Sequence, residues 1–151
     1  MSETDNRWMQ VAIQLAEQAA RKGEVPVGAI IVMGGQVIGE GWNQPISTND
    51  PTAHAEIMAI RNAAIRIKNY RLTGTTLYVT LEPCLMCAGS MVHARIERLV
   101  YGATDPKRGA VNSTCHALES QGLNHRIQVE GGVMAAECGG LLQTFFREKR
   151  G

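Results

Sequence analysis

Two short clusters constrain this chain more than anything else in it: His54-Ala55-Glu56 and, further along, Pro83-Cys84-Leu85-Met86-Cys87. His54, Cys84 and Cys87 are of the types that ligate a metal. A fold that uses all three must bring together segments far apart in the chain. Structural zinc sites are usually closed by four protein ligands, whereas catalytic sites keep a position open for water. Three ligands leave that position open. Glu56, two residues from His54, is then close enough to move a water's protons. A Cys/Cys/His set suits zinc.

The 151 residues suffice for about one domain with a real core, and the whole chain, 1–151, is expected to be one unit. Hydrophobic and charged fractions of 44% and 19% are ordinary for a globular chain. No apolar run approaches the roughly 20 residues of a membrane span. The N-terminal Met1-Ser2-Glu3-Thr4-Asp5 has no signal-peptide pattern, so a cytoplasmic address is the expectation. A net charge of +1 does not announce a nucleic-acid binder, so any RNA site must be a local patch. Lys107-Arg108 and Arg147-Glu148-Lys149-Arg150 are candidates, each also readable as solvated surface.

The four cysteines are not expected to form disulfides. Two make a Cys-x-x-Cys, which favours metal or redox chemistry; a thioredoxin-like dithiol is the rival reading before His54 is considered. Cys115 and Cys138 fit no ligand spacing and read as free, part-buried thiols. His93 reads as a cap or surface residue, His116 lacks a metal spacing, and His125 is open to a contact with RNA or a subunit partner. Met58, Met86 and Met91 read as core fillers.

Residues 7–21 place Trp8, Val11, Ala12, Leu15, Ala16 and Ala19 on one helical stripe. Residues 27–33 read as a strand, joined through Gly34-Gly35 to a second over 36–39. Residues 42–51 are turn-rich and read as a loop. A helix follows to about Lys68, with Asp50 its cap and Pro51 its first residue. A strand over 75–80, a helix opened by Pro83 and running to about Ala94, and a strand over 98–101 come next. A short helix near 114–119, a strand over 127–130 and a helix over 134–149 complete the pattern. Helices alternating with strands argue for an α/β sandwich on one sheet. Phe145 and Phe146 are adjacent and cannot share a helix face, which puts one in the core and leaves the other free.

Both halves of the metal pattern fall at expected helix starts, where unpaired N–H groups and the helix dipole favour thiolates. The i, i+3 spacing of Cys84 and Cys87 sets both sulfurs on one face. Zinc lowers the pKa of bound water from 15.7 to about 7, and Glu56 would carry the proton to a ring nitrogen and then to a departing amine. The bland reading of Glu56 is a surface residue in a helix's first turn; the three ligands argue against it.

His-x-Glu joined to Pro-Cys-x-x-Cys is the signature of the zinc nucleobase deaminases. The chain further resembles the bacterial tRNA-specific adenosine deaminases of the cytidine and deoxycytidylate deaminase superfamily, over nearly its whole length. The resemblance rests on Glu24-Val25-Pro26-Val27-Gly28-Ala29, Gly41-Trp42-Asn43, residues 50–59 around the His-x-Glu, residues 76–84 up to the first Cys, and Asn124-His125-Arg126. It implies a three-layer α/β/α cytidine-deaminase-like fold with a five-stranded mixed sheet, one zinc per subunit, and a homodimer whose RNA site uses both subunits. It implies hydrolysis of adenosine to inosine at the wobble position of an arginine tRNA, bound through its anticodon stem-loop. His54, Cys84 and Cys87 would hold zinc and Glu56 would shuttle protons. Asn43 would hydrogen-bond the flipped base, Val27 would line its pocket, and the Ala55 backbone would touch it. Asp105, Lys107, Arg71, Phe146 and Arg150 would contact the anticodon loop. Two readings of other classes stand beside this one: a deaminase of a free base or nucleoside such as guanine or cytosine, and a non-catalytic RNA-binding module held by zinc.

Overall fold

The computed structural model describes residues 2–150. Its element order is α1 (Glu3–Arg21), β1 (Gly28–Met33), β2 (Gln36–Trp42), α2 (Pro45–Thr48), α3 (Ala55–Ile67), β3 (Thr76–Leu81), α4 (Leu85–His93), β4 (Arg98–Ala103), a 3-10 turn (Ala117–Glu119), β5 (Gln128–Glu130) and α5 (Ala135–Arg150). The five strands form one sheet in the order β2-β1-β3-β4-β5. β1 is antiparallel to β2 and β3, whereas β3, β4 and β5 are parallel. This is the expected mixed five-stranded α/β fold.

The three central strands, β1, β3 and β4, are nearly continuously buried because both faces of the sheet are covered there. Side chains alternate between faces along each strand. Ile31, Leu77, Val79, Leu99 and Tyr101 meet Ala55, Ala59 and Ala63 of α3 and Ala88, Met91 and Val92 of α4. Ile30, Val32, Tyr78 and Val100 meet Met9, Ala12 and Leu15 of α1 and Cys138 of α5. Burying each large aliphatic side chain contributes ~1.5–3 kcal/mol.

α1 begins four residues earlier than its apolar stripe suggested. Ser2 caps it by accepting the Asp5 N–H (3.0 Å), and Glu3 and Asp5 suit the first turn. Asp5 is buried under that turn, where Arg98 donates to both its oxygens (2.8 and 2.7 Å) and the Tyr78 hydroxyl donates at 2.8 Å.

The expected loop over 42–51 contains the short α2, and the second strand runs on to Trp42. Asp50 does not cap α3. Its carboxylate accepts the Thr52 N–H and hydroxyl (2.9 and 2.7 Å), closing a turn, and His54 is the N-cap residue. Likewise Cys84, not Pro83, stands at the start of α4. The turn near 114–119 is 3-10 and shorter than expected.

α3 lies flush on β2. A side chain at Gly41 would run into the Ala55 carbonyl and the Ala59 N–H, so only glycine lets the helix start this close. From α3, Asn62 Oδ1 accepts the Glu40 N–H (3.0 Å) and Arg66 donates to the Val37 carbonyl (3.4 Å), both on the edge strand.

Candidate metal centre and active site

Strand direction gathers the site at one end of the sheet. β1 is antiparallel to both neighbours, so the start of β1, the end of β2 and the ends of β3 and β4 lie together. That end therefore carries Val27, Asn43, Glu82 to Cys84, and residues 104–108. Crevices outside the carboxyl ends of strands are the usual ligand sites of open α/β sheets.

His54 and Cys84 are the N-cap residues of α3 and α4, and Cys87 is buried in the first turn of α4. The ligand atoms of the three lie within 4.8 Å of one another. His54 Nδ1 is 3.6 Å from Cys84 Sγ and 3.5 Å from Cys87 Sγ. A tetrahedral zinc with sulfur bonds near 2.3 Å and a nitrogen bond near 2.0–2.1 Å sets these atoms about 3.6 Å apart. The three residues thus fit a zinc cofactor in donor type and in spacing.

The charges agree. The Cys84 thiol is pulled down to about 4 by its hydrogen bonds to Cys87 and His54, despite burial. The Cys87 thiol is pushed up by its hydrogen bond to Cys84 and by burial. His54 is raised by its hydrogen bond to Cys84.

Glu56 is 4% exposed, lies against Cys87, and stays outside the three-ligand cluster. Burial pushes its carboxyl up to about 7, a range in which a group can both take and return a proton. A buried Glu in a first turn is not the solvated residue of the bland reading.

Val27, Asn43 and Ala55 are brought together by backbone pairing. The Asn43 N–H donates to the Val27 carbonyl (3.1 Å), and Asn43 Oδ1 accepts the Ala55 N–H (2.9 Å). The Asn43 amide NH2 is not used in that contact. Val27 is buried beside it.

The loop after β4 rests on the site. The Ala110 N–H donates to the Pro83 carbonyl (2.8 Å), next to Cys84. Asp105 is turned onto its own loop, accepting the Lys107 and Arg108 N–H groups (both 3.2 Å). Lys107 and Arg108 are exposed, and the Arg108 charge reaches His54.

One expected residue, Arg71, is at the other end of the sheet. Arg71 precedes β3, its guanidinium over the Tyr70 ring (5.6 Å), beside the last turn of α4. Phe146 and Arg150 lie roughly 12 and 18 Å along α5 from Cys138. Neither Phe145 nor Phe146 enters the core; they stack edge to face with centroids 5.4 Å apart on a helix whose one buried residue is Cys138.

Of the remaining side chains, Met91 is buried but Met86 is exposed on α4, because it points away from the sheet. Cys115 is exposed, whereas Cys138 is fully buried. His93 is exposed, His116 pairs with Glu119 (3.1 Å), and the His125 ring lies 2.7 Å from the Ile96 carbonyl.

Two buried carboxylates escaped the sequence analysis. Glu24 accepts the Ile46 and Ser47 N–H groups (3.3 and 2.7 Å), which fixes α2 beside Asn43. Glu82 accepts from the loop after β4. The one available signal was an acidic residue closing the apolar run of β3.

Similarity to known proteins follows the same lines. The cytidine and deoxycytidylate deaminase zinc-binding region matches residues 2–103. A tRNA-specific adenosine deaminase of Haemophilus influenzae is 53% identical over 150 residues, 99% of this chain and 87% of the relative. One from Bacillus subtilis is 44% identical, covering 97% and 91%. A solved chain from structural studies of A-to-I editing by tRNA:A34 deaminases at the wobble position superposes with a TM-score of 0.88 at 43% identity, over 90% of this chain and 99% of that one.

Proposed function

We propose that this chain, which belongs to the cytidine and deoxycytidylate deaminase family and within it to the tRNA-specific adenosine deaminases, converts the wobble adenosine of an arginine tRNA to inosine. The whole chain, 1–151, acts as one deaminase unit in the cytoplasm, as a homodimer with one zinc per subunit. The observation that carries the chemistry is the His54, Cys84 and Cys87 trio with buried Glu56 beside it.

Zinc supplies Lewis acidity that brings the pKa of a water toward neutrality. Glu56 takes a proton from the attacking water and delivers it to a ring nitrogen of adenine. The water oxygen bonds to C6, the C6–amine bond breaks, and the amine leaves as ammonia with a proton carried by Glu56. Asn43 offers its NH2 to an acceptor on the base edge while Val27 packs on the ring and the Ala55 backbone lies alongside. A single-stranded anticodon loop lets the base splay out into such a pocket. Asp105 shapes the adjacent loop, and Lys107 meets phosphate. Arg71, Phe146 and Arg150 meet the anticodon loop in a site shared by two subunits.

The test is inosine formation by zinc-loaded protein on an arginine-tRNA anticodon stem-loop, with free adenosine, cytidine and guanine in parallel. Conversion of the wobble adenosine alone is expected. Conversion of a free base or nucleoside with the stem-loop untouched would overturn the substrate while keeping the zinc chemistry.

A further inference from the structure

Glu82 is 2% exposed and closes β3, two residues before a metal ligand. Its side chain does not turn to the metal centre. Oε1 accepts the Asp105 N–H (3.1 Å) and the Ser113 hydroxyl. Oε2 accepts the N–H groups of Val111 (3.2 Å), Asn112 (2.8 Å) and Ser113 (2.9 Å). Five donors from both ends of one loop converge on one carboxylate. Gly109 lies directly over it, and a Cβ there would strike both carboxylate oxygens. Successive backbone N–H groups folded around an anion form a nest, here with the anion supplied by the protein itself.

We propose that Glu82 is a positioning residue that clamps the 105–113 loop and so sets Lys107 and Arg108 at the mouth of the metal site for an RNA phosphate. The inference rests on the RNA reading above for its ligand, but the clamp stands on the hydrogen bonds alone. Both oxygens must be acceptors. An ionised carboxylate offers acceptors only, whereas a glutamine offers donors at one end. Whichever way a glutamine amide turns, its NH2 faces at least two of the five donors. A buried donor left unpaired is costly, so the loop lets go.

The experiment compares wild type with Glu82→Gln. Zinc per chain is counted, single-turnover rates are measured against anticodon stem-loop concentration, and hydrogen exchange is followed at the Asp105, Val111, Asn112 and Ser113 amides. Expected are one zinc per chain, a half-saturating RNA concentration raised about tenfold, a saturating rate within about threefold of wild type, and faster exchange at the four amides. Unchanged half-saturation and exchange would overturn the clamp. So would a fall in saturating rate alone, or loss of zinc, because either places Glu82 in the metal centre itself. Ser113→Ala removes one donor without disturbing β3 and should move half-saturation in the same direction by about threefold; no movement in a folded, zinc-loaded Ser113→Ala protein counts against the proposal. If wild type leaves the stem-loop untouched, the RNA reading fails, and amide exchange then decides the clamp alone.

Discussion

The side-chain oxygen of Asn43 accepts the backbone N–H of Ala55 at 2.9 Å. The residue at the end of β2 therefore completes the helix that begins with Ala55 and Glu56. The His54 side chain makes no cap hydrogen bond of its own, so Asn43 supplies from a neighbouring strand what an N-cap residue usually supplies locally.

Two substitutions at Asn43 separate its two halves. Asn43→Ala loses both the acceptor and the NH2, and should cost ~1 kcal/mol of stability along with turnover. Asn43→Asp keeps the acceptor but not the donor. It should hold the melting temperature near wild type while deamination of the stem-loop falls about as far as in Asn43→Ala. Turnover near wild type in Asn43→Asp would remove the NH2 from substrate reading.

Glu56→Ala should keep one zinc per chain and the fold, because Glu56 is outside the ligand trio. Deamination should fall by ~10²–10⁴-fold, the usual worth of general acid–base help. Zinc analysis and single-turnover kinetics on the same preparation check both halves.

Arg98 holds the Asp5 carboxyl at about 2, against an ordinary value of 3.8, through hydrogen bonds that outweigh burial, with Tyr78 adding a further donor. A carboxylate depressed in the folded state contributes stability that is present above pH 4 and is lost as pH falls through about 2. That contribution is on the order of 2 kcal/mol. Asp5→Asn should lower the melting temperature by roughly 4–8 °C at pH 7. The gap to wild type should narrow at pH 3; an equal gap at both pH values would contradict the linkage.

Neutralising Lys107 and Arg108 together should weaken stem-loop binding and flatten its salt dependence. For each single-strand phosphate that no longer meets a cation, the slope of log K against log salt becomes shallower by about 0.7. Titration at several salt concentrations gives the slope directly, and an unaltered slope would make both residues solvated surface.

The metal trio was legible because ligand identity and spacing are local, and because Cys-x-x-Cys at a helix start needs no knowledge of the partner strand. The sheet was legible from its apolar runs. The start of α3 was not: Asp50 and Pro51 look like a cap and a first residue, but Asp50 spends its carboxylate on Thr52. Glu82 and Glu24 were invisible for a different reason. Their partners are backbone N–H groups distant in the chain, which carry no side-chain signature. The expectation that one of Phe145 and Phe146 is core failed by analogy with ordinary amphipathic helices, since α5 covers the sheet with small residues near its start and leaves both aromatics out of the core.

Six of the thirteen positions of α3 carry a specific contact or role. Its first N–H belongs to Asn43, its second residue is Glu56, Ala59 and Ala63 are pressed on the sheet, and Asn62 and Arg66 occupy the β2 edge. Each of those six positions has little room for sequence drift. In a saturating library of substitutions those positions should accept fewest of the thirteen, whereas the stretch of α5 between its buried Cys138 and Phe146 should be rewritten more freely.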